Sequence, residues 1–416
     1  MRVAIIGSGV SGLTAARGLH RTHEITVFEA APYVGGHVNT VDVDLGDERH
    51  SIDTGFIVFN EKNYPNFTQL LNDLDVASKP TSMSFSVRCD QTGLEYNGTS
   101  INHLFAQRTN FLRPRFYKMV RDILRFNREA AELLAGSGDD LSVADYLETN
   151  RYSEAFAEKY LIPLGSSLWS CPAGTFRNFP IRFVIEFLSN HAMMQVDGRP
   201  TWRVVAGGSQ RYVEKLIVPF ENRIRLNTPV KSVQRHANRV RIVDASGVAG
   251  DFDHVVFACH SDQALRLLQA PTTKEIELLA AFPYQRNEAV LHMDASVLPK
   301  RKLAWAAWNY HIRRDGAEQA AVTYNMNILQ GIRSRRMFNV TLNDDDGIDP
   351  GLIIRRIIYE HPIFTDRRGE AQQRHGELIG PNRTSYCGAY WGYGFHEDGV
   401  RSGLAVCNAL DQARAA

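Results

Sequence analysis

The chain opens on an apolar strand that runs directly into a glycine-rich turn. The strand VAII is followed by Gly7, Gly9 and Gly12 in the spacing G-x-G-x-x-G, and a second apolar strand, ITVF, ends on Glu29. The first glycine permits a tight turn, the second lets a pyrophosphate approach the backbone, and the third lets the following helix pack on the strand. Glu29 can accept hydrogen bonds from a ribose. The opening therefore predicts a βαβ unit that binds a dinucleotide at the N-terminus of its helix.

The length of the chain limits the number of domains that we expect, and its net charge limits the partners. A chain of 416 residues is too long for one simple core, so we expect two domains or one α/β body with an insertion. The 47 basic and 46 acidic residues give a net charge of +1, which gives no reason to expect nucleic acid as a partner.

The cysteines and the hydropathy pattern bear on compartment. The five cysteines are Cys89, Cys171, Cys259, Cys387 and Cys407. They form no C-x-x-C pair and no metal-like spacing with histidine, so we predict no metal site and reduced thiols in a cytoplasmic protein. Because the first residues already form a core strand and no apolar run approaches the ~20 residues of a membrane span, we expect neither a signal peptide nor a spanning helix.

The sequence pattern changes between residues 62 and 199, where helical periodicity prevails and strands become rare. Helices are predicted at residues 64–74, 116–134, 142–150 and 153–161, with a surface loop at 136–140. Strands are predicted at 224–226, 230–235, 240–244 and 253–258, after a glycine turn at residues 207–208. This order indicates a domain inserted into a dinucleotide-binding fold.

Aromatic residues gather near the end of this pattern. Trp305, Trp308, Tyr310 and Tyr324 alternate with polar residues, and Trp169 lies in the inserted segment. We predict that these five line a substrate pocket, while the alternative is that they fill a core.

The segment Gln107 to Arg128 is basic and amphipathic, with six arginines, one lysine and one aspartate among apolar residues. It is typical of a solvated surface helix. The alternative is a peripheral contact with anionic lipid on the inner membrane face, because basic helices with aromatic residues favour that interface.

Six motifs, in order along nearly the whole chain, resemble those of the flavin-dependent amine oxidoreductases, the superfamily that includes monoamine oxidase, protoporphyrinogen oxidase and phytoene desaturase. They are the opening glycine loop, EA followed by GG at residues 29–36, DTGF at 53–56, GG at 207–208, TPV at 228–230, and YCGA at 386–389 with EDG at the start of the final helix. The resemblance implies an α/β fold: a Rossmann-like FAD-binding domain with an inserted α+β substrate domain.

The resemblance also implies FAD as cofactor and a set of residues that bind it. These are Gly7, Gly9, Ser11, Gly12, Glu29, Ala30, Gly36, His37, Thr54, Gly55, Phe56, Val230, Ala258, Gly388, Glu397 and Asp398. We predict that residues 1–61, 200–286 and 370–416 form the FAD-binding domain, and that 62–199 and 287–369 form the substrate or cap domain. The N-terminus of the final helix would then stabilise negative charge on reduced flavin.

Within the superfamily, the runs DTGFIVFNEKNYPN, SMSFSV, LWSCP and GYGFHEDG look closest to a bacterial group of predicted FAD-binding proteins associated with fatty-acid tailoring. This resemblance implies a lipid or fatty-acyl substrate.

Four positions depart from the family pattern. Tyr33 and His37 stand where the family has arginines, and His260 stands where it has proline. Glu288 occupies the place of the lysine that holds a water near the flavin in amine oxidases. A glutamate cannot do the lysine's work unchanged, which argues against amine oxidation. We consider Glu288 a candidate base in an apolar pocket, with an ordinary salt bridge as the alternative.

These features predict an FAD-dependent oxidase or desaturase that abstracts hydride from a hydrophobic substrate to flavin N5. Tyr390 and His396 flank the flavin end and are candidates to orient substrate or donate a proton. The alternatives are an amine oxidase, a redox-neutral isomerase or mutase, and a flavoprotein that only scaffolds a partner. A mutase acting on a nucleotide sugar requires that the four arginines Arg177, Arg182, Arg199 and Arg203 converge on one pocket.

Overall fold

The computed structural model describes residues 1–135, 141–195, 198–314, 321–344 and 346–415, so the predicted loop at 136–140 lies outside the described residues. The strands are β1 (Arg2–Ile6), β2 (Glu24–Phe28), β3 (Thr40–Asp44), β4 (Arg49–Asp53), β5 (Val58–Phe59), β6 (Ser78–Pro80), β7 (Phe85–Cys89), β8 (Leu94–Asn97), β9 (Arg203–Val205), β10 (Ile224–Arg225), β11 (Val230–Arg235), β12 (Val240–Asp244), β13 (Ala249–Phe252), β14 (His254–Phe257), β15 (Tyr284–His292), β16 (Trp308–Ile312), β17 (Val322–Asn325), β18 (Asn339–Leu342), β19 (Ile353–Pro362) and β20 (Thr384–Tyr386).

The α-helices are α1 (Val10–Leu19), α2 (Pro65–Asp73), α3 (Ile101–Leu104), α4 (Pro114–Ala135), α5 (Val143–Thr149), α6 (Glu154–Phe156), α7 (Ile162–Trp169), α8 (Ala173–Arg177), α9 (Ile181–Asn190), α10 (Gln210–Ile217), α11 (Ser261–Leu267), α12 (Thr273–Leu279), α13 (Met326–Leu329), α14 (Arg368–Gln373) and α15 (His396–Ala415). No helix in these described ranges is long and apolar enough to cross a membrane.

A five-stranded parallel sheet in the order β10-β2-β1-β14-β20 forms the centre of the predicted dinucleotide-binding domain. Its strands come from both ends and the middle of the chain, and β1, β14 and β20 are buried almost throughout. The carboxyl ends of parallel strands meet at one edge, which is where ligands bind in open α/β sheets. The predicted fold class, with its Rossmann-like parallel sheet, is confirmed.

A second sheet of seven strands, in the order β19-β15-β18-β17-β16-β7-β8, is antiparallel except where β16 pairs with β7. The buried face of its strands β15 and β18 packs with α4, α7, α8 and α9 in one apolar cluster. This layer of helices and strands fits the predicted inserted domain, while the domain boundaries stay a prediction.

Most predicted elements match the structure. The helices predicted at 64–74, 116–134 and 142–150 are confirmed by α2, α4 and α5. The helix predicted at 153–161 begins as α6 and then widens into a π-helical turn at Ala157–Leu161. Strands β11 and β12 have the predicted bounds.

The first and last helices pack against each other through glycines. A Cβ built on Gly403 of α15 would lie 2.6 Å from the backbone oxygen of Ser11 in α1. A Cβ built on Gly399 would lie 2.5 Å from a Val10 methyl carbon. These two glycines let α15 approach the glycine loop, so the end of the chain helps to position its beginning.

We expect Gly403→Ala to destabilise the protein by about 1–3 kcal/mol, because the new methyl group would meet backbone that cannot rotate away. Urea unfolding measures this. Gly369→Ala in α14 is the matched control, since nothing lies within 4 Å of a Cβ there. Equal stability of the two variants would contradict the close approach of α15 to α1.

Candidate active site

The glycine loop has the backbone geometry that a bound pyrophosphate requires. Gly7 has a φ of 107°, and a Cβ there would lie 2.7 Å from the Ala258 carbonyl oxygen. Gly12 is equally constrained, since its Cβ would lie 2.1 Å from the Gly7 oxygen. At Gly9, the residue that precedes α1, nothing lies within 4 Å of a Cβ. The space beside Gly9 is therefore open, at the positive end of a ten-residue helix.

Glu29 at the end of β2 retains capacity for a ribose. Its Oε2 accepts hydrogen bonds from the Ser8 amide at 2.9 Å and the Ser8 hydroxyl at 2.6 Å, and its Oε1 accepts one from the Ala31 amide at 2.8 Å. A carboxylate offers about four acceptor positions. Glu29 is thus fixed by the loop and keeps an acceptor position on Oε1.

These residues open into a cleft of about 410 Å³ at the carboxyl edge of the parallel sheet. Of the predicted cofactor residues, those lining it are Gly7, Gly9, Ser11, Glu29, Ala30, Gly36, His37, Phe56, Val230, Ala258 and Gly388. An open glycine cradle, a fixed acidic acceptor and a helix N-terminus fit the phosphates and ribose of FAD.

The DTGF turn is held by the buried carboxylate of Asp53. It accepts hydrogen bonds from the Thr40 hydroxyl at 2.6 Å and from the Ser209 amide at 2.8 Å. Burial raises the pKa of Asp53 to about 6, although these donors oppose the shift. Asp53 therefore ties the DTGF turn to the glycine turn at 207–208, two motifs far apart in sequence.

Thr54 and Gly55, predicted to bind the cofactor, do not line the cleft. Thr54 Oγ1 contacts the Tyr359 hydroxyl at 2.8 Å, and the Tyr359 ring stacks on His37 with centroids 4.9 Å apart. A Cβ on Gly55 would lie 2.0 Å from the His37 oxygen. Thr54 therefore contacts His37 through the Tyr359 ring, and Gly55 packs directly against the His37 backbone.

The two acids at the start of α15, which were predicted to bind the cofactor, lie away from the cleft. Glu397 accepts hydrogen bonds from the Asn66 and Phe67 amides, which are the unpaired donors at the first turn of α2. Asp398 accepts from the Tyr393 and Phe395 amides that precede its own helix. Neither lines the cleft, because both acids cap helix ends.

Three histidines converge at the inner end of the cleft. His37 lies with ring centroids 6.0 Å from His260 and 5.4 Å from His361. Desolvation lowers the pKa of His37 and of His361 to about 3, and that of His260 to about 4. All three are therefore neutral near pH 7 in the protein alone.

A chain of amide hydrogen bonds fixes the tautomer of His361. The Glu288 backbone amide donates to Asn343 Oδ1, Asn343 Nδ2 donates to Asn287 Oδ1, and Asn287 Nδ2 lies 2.7 Å from His361 Nδ1. Because a backbone N–H can only donate, it orients both amides in turn, and His361 Nδ1 must accept. The proton of neutral His361 is thus on Nε2.

Beyond the histidines lies a second cavity, of about 120 Å³, which we call the chamber. It shares His37, Phe56, His361, Pro362 and Gly394 with the cleft, so the two cavities adjoin each other. Its other lining residues are Gly55, Ile57, Val58, Leu168, Trp169, Ser170, Trp308, Tyr324, Leu329, Phe364, Tyr393, Phe395 and His396. The chamber is apolar and largely aromatic.

Of the predicted pocket residues, Trp169, Trp308 and Tyr324 line the chamber, and Trp305 and Tyr310 do not. The Trp305 indole donates to the Pro299 carbonyl at 2.7 Å. Tyr310 packs in an apolar cluster with Val87, Tyr96 and Phe116. The structure therefore does not bring them to the chamber: Trp305 precedes β16, and Tyr310, on the same face of β16 as Trp308, packs in the neighbouring cluster.

Several buried polar atoms of the chamber have no hydrogen-bond partner among the described residues. They are the indole Nε1 atoms of Trp169 and Trp308 and the Nε2 atom of His396. Burial lowers the pKa of His396 to about 3, and its ring stacks on Phe67 at 4.3 Å. Unpaired buried donors are rare in proteins and costly, so each indole N–H has unused capacity to donate to a ligand.

The remaining catalytic candidates differ in position. Tyr390 lines the cleft and packs on Phe282 with a buried hydroxyl that has no partner. Burial raises its pKa well above the ordinary value, so the phenol stays protonated. Glu288 lies outside both cavities and forms a part-exposed ion pair with Arg356 at 2.8 Å. The prediction of an apolar pocket around Glu288 is therefore wrong.

The four arginines of the mutase alternative do not converge. Arg177 pairs with Glu158, Arg182 with Glu186 and Arg203 with Glu61, while Arg199 donates to the Gln195 carbonyl. None of the four lines the cleft or the chamber. The condition that we set for a nucleotide-sugar mutase, convergence of these arginines on one pocket, is therefore not met.

Sequence reasoning missed His361, Asn287 and the α11 residues Gln263 and Arg266, which also line or support the cleft. His361 lies in no motif and comes near the flavin loop only through the pairing of β15 with β19. The one available signal was Asn287, which directly precedes Glu288, the position that the sequence comparison with the family singled out.

We expect Gly9→Ala to fold normally and to lower the affinity for FAD at least tenfold. The Gly9 backbone has a φ of −67°, which alanine adopts without strain, and its methyl group would occupy only the open cleft. Isothermal titration of the apoprotein with FAD measures this, with Gly174→Ala as a control at a similarly open site. Unchanged affinity would place the pyrophosphate elsewhere.

Protonation of the buried His396 sets a pH dependence. The unfolded imidazole takes up a proton below about 6.5, whereas the folded one does so only near 3, so the free energy of unfolding falls as pH drops through this interval. We expect His396→Gln to flatten the slope by up to about 1.4 kcal/mol per pH unit. Urea unfolding of the apoprotein at several pH values measures it, and a slope that His396→Gln leaves unchanged would contradict the burial of this imidazole.

Two curated proteins are similar in sequence. A lysine-specific histone demethylase 1B homolog from Caenorhabditis elegans is 25% identical over 323 residues, covering 72% of this chain and 36% of that protein. The L-amino-acid oxidase of Gloydius halys is 22% identical over 298 residues, covering 64% of this chain and 53% of that protein. The chain thus spans about a third and about half of the length of these relatives.

Solved structures match over the whole chain. Cyclohexylamine oxidase from Brevibacterium oxydans IH-35A superposes with a TM-score of 0.72 at 15% identity, covering 100% of this chain and 99% of that one. The CLA-producing fatty acid isomerase from P. acnes superposes with a TM-score of 0.67 at 16% identity, covering 99% and 98%. At these identities the likeness establishes the fold.

The sequence model of the flavin containing amine oxidoreductases matches residues 10–301, which is more than half of the chain and includes most of the cleft. The resemblance inferred from the motifs is therefore confirmed, as is the cofactor. The chain belongs to the flavin containing amine oxidoreductase family, and its cofactor is FAD.

Proposed function

We propose that this FAD-dependent oxidoreductase acts on a hydrophobic fatty-acyl substrate, whose reacting segment lies in the chamber and loses a hydride to the flavin. The observation that carries this proposal is the lining of the chamber, which among the described residues contains no aspartate, glutamate, lysine or arginine. Its three histidines, His37, His361 and His396, are neutral near pH 7. An ammonium group would find no counter-ion among these residues, whereas an alkyl chain would be desolvated favourably.

The unpaired indoles support a substrate that carries a hydrogen-bond acceptor. Trp169 Nε1 and Trp308 Nε1 are buried donors without partners in the described protein. A carbonyl or carboxyl oxygen would satisfy them, which recovers the free energy that their desolvation costs. A neutral fatty-acyl derivative, or a fatty acid in its protonated form, provides both the apolar chain and an uncharged oxygen.

The junction of cleft and chamber supplies the protein groups for proton handling. Bound FAD supplies a hydride acceptor at N5. Oxidation of a saturated C–C bond to C=C also releases a proton from the neighbouring carbon. Neutral His37 and His260 can accept it transiently and pass it to water in the cleft, because burial disfavours a lasting imidazolium there, while His361, with its proton fixed on Nε2, is oriented as a donor. His396 and Tyr390 then orient the substrate rather than carry charge.

A redox-neutral isomerase of acyl chains is the second candidate. The fold is shared with the fatty acid isomerase from P. acnes, and the same uncharged chamber would accommodate its kind of substrate. In that case the hydride taken from one carbon returns to another, so a double bond moves and the substrate keeps its mass.

A fatty-acyl compound partitions into lipid bilayers, because transfer of its alkyl chain out of water is favourable. We therefore expect the enzyme to act at a membrane surface. The five free cysteines, four of them buried, fit the cytoplasm, where thiols stay reduced.

Anaerobic mixing of the holoenzyme with fatty acids and, separately, with primary amines tests the function. We expect fatty acids to bleach the flavin absorbance and to lose two mass units. An acyl product of unchanged mass with a displaced double bond would support the isomerase. Bleaching by amines alone would contradict the proposal, and no bleaching by any compound would indicate a flavoprotein without this activity.

We expect Trp308→Phe to raise KM for a reactive fatty acid about tenfold with little change in kcat, because it keeps the ring and removes the N–H donor. Trp305→Phe is the matched control, since that indole donates to a backbone carbonyl outside the chamber. If both variants, or neither, change KM, the indole contact is not with substrate.

A further inference from the structure

Large exposed hydrophobic side chains are concentrated in one part of the surface. Of the thirteen such residues in the described chain, five lie between positions 101 and 124: Ile101, Phe111, Leu112, Tyr117 and Leu124. Ile101 and Leu112 are 77% and 85% exposed, more than any of the other eight. Scattered exposed apolar residues are ordinary, but a cluster indicates a contact surface.

The same surface carries unpaired positive charge. Arg115, Lys118 and Arg121 are exposed on α4, and Arg113 directly precedes it. None of these four forms an ion pair or side-chain hydrogen bond with the described residues. The single acid between positions 101 and 128, Asp122, is buried and accepts a hydrogen bond from the Ser153 amide. The surface is therefore basic although the whole chain is almost neutral.

Helix α4 holds most of these groups on one side. Its exposed residues recur every three or four positions from Tyr117 through Arg121 and Leu124, with Lys118 beside them, which is one face of an α-helix. The opposite face is anchored in the core by residues such as Met119 and Phe126. The helix cannot rotate to hide the exposed residues.

We propose that this face, formed by the exposed residues between 101 and 128, binds an anionic phospholipid bilayer. Side chains such as Leu112 and Tyr117 would enter the interface between headgroups and acyl chains, and the unpaired cations would contact lipid phosphates. A nucleic acid would use the cations but leave the leucine and isoleucine side chains in water. The inference goes beyond the redox chemistry proposed above, because it rests on residues outside the cleft and the chamber.

Vesicle co-sedimentation of the holoenzyme tests this surface. We expect the holoenzyme to bind phosphatidylcholine vesicles that contain about 30% phosphatidylglycerol at least tenfold more tightly than pure phosphatidylcholine vesicles. This binding should weaken as the salt concentration is raised, because the attraction to anionic lipid is electrostatic. Arg115→Ala with Lys118→Ala should lower binding about tenfold or more, as should Ile101→Ser with Leu112→Ser.

The matched control is Val218→Ser with Val248→Ser, which removes two residues of 69% and 60% exposure far along the chain from α4. It should bind vesicles as the unchanged protein does. The flavin spectrum of every variant should be unaltered, so failure of this proposal is distinguishable from failure of the proposed chemistry. Three results would overturn the proposal: equal binding to neutral and anionic vesicles, an equal loss of binding in the control, or no binding at all. Self-association that is sensitive to salt and is lost when Arg115 and Lys118 are replaced would also overturn it, because the face would then be a protein contact.

Discussion

The buried carboxylate of Asp53 joins parts of the chain that the active site needs side by side. Besides Thr40 and Ser209, it accepts a hydrogen bond from Gln330 Nε2 at 3.0 Å. Gln330 directly follows Leu329, which lines the chamber, and the Ser209 hydroxyl also donates to the backbone oxygen of Phe56, which lines both cavities. One side chain thus sets the cofactor loop against the substrate wall. Several donors converge on it, so its loss would leave buried polar groups unsatisfied, at about 1–3 kcal/mol each.

Charge is arranged so that the reacting region stays neutral. Glu288, Glu397 and Asp398 all point away from the cleft, into an ion pair or toward helix ends. The groups that remain at the junction of cleft and chamber are neutral imidazoles, held neutral by burial and by one another. In a medium of low polarity this favours the binding of an uncharged substrate, and it leaves a proton on any of these imidazoles only transiently.

The sequence predicts those parts of the site where backbone geometry dictates the residue. The spacing of Gly7, Gly9 and Gly12, and the acid at position 29, follow from how a strand, a turn and a helix meet, so they could be read directly. Glu288 could not, because side chains alternate along β15 and a shift of one position exchanges its two faces. The strand turns Asn287 toward His361 and Glu288 toward Arg356. Glu397 stands at a helix start, where an acid serves a nearby helix end as readily as a cofactor.

The proposed lipid-binding face and the cofactor cleft are supported by two different apolar clusters of the core. The buried side of α4 contributes Phe126 to the apolar cluster that also contains Leu168 and Trp169 of the chamber wall. The glycine loop and α1 belong to a separate cluster, with Val10 and Leu13. Attachment of α4 to a bilayer would therefore act on the part of the molecule that holds substrate, and it would leave the packing around FAD unchanged. The two proposals, a hydrophobic substrate and membrane binding through α4, are therefore consistent with each other. The same layer of helices supplies part of the chamber wall and the exposed basic face.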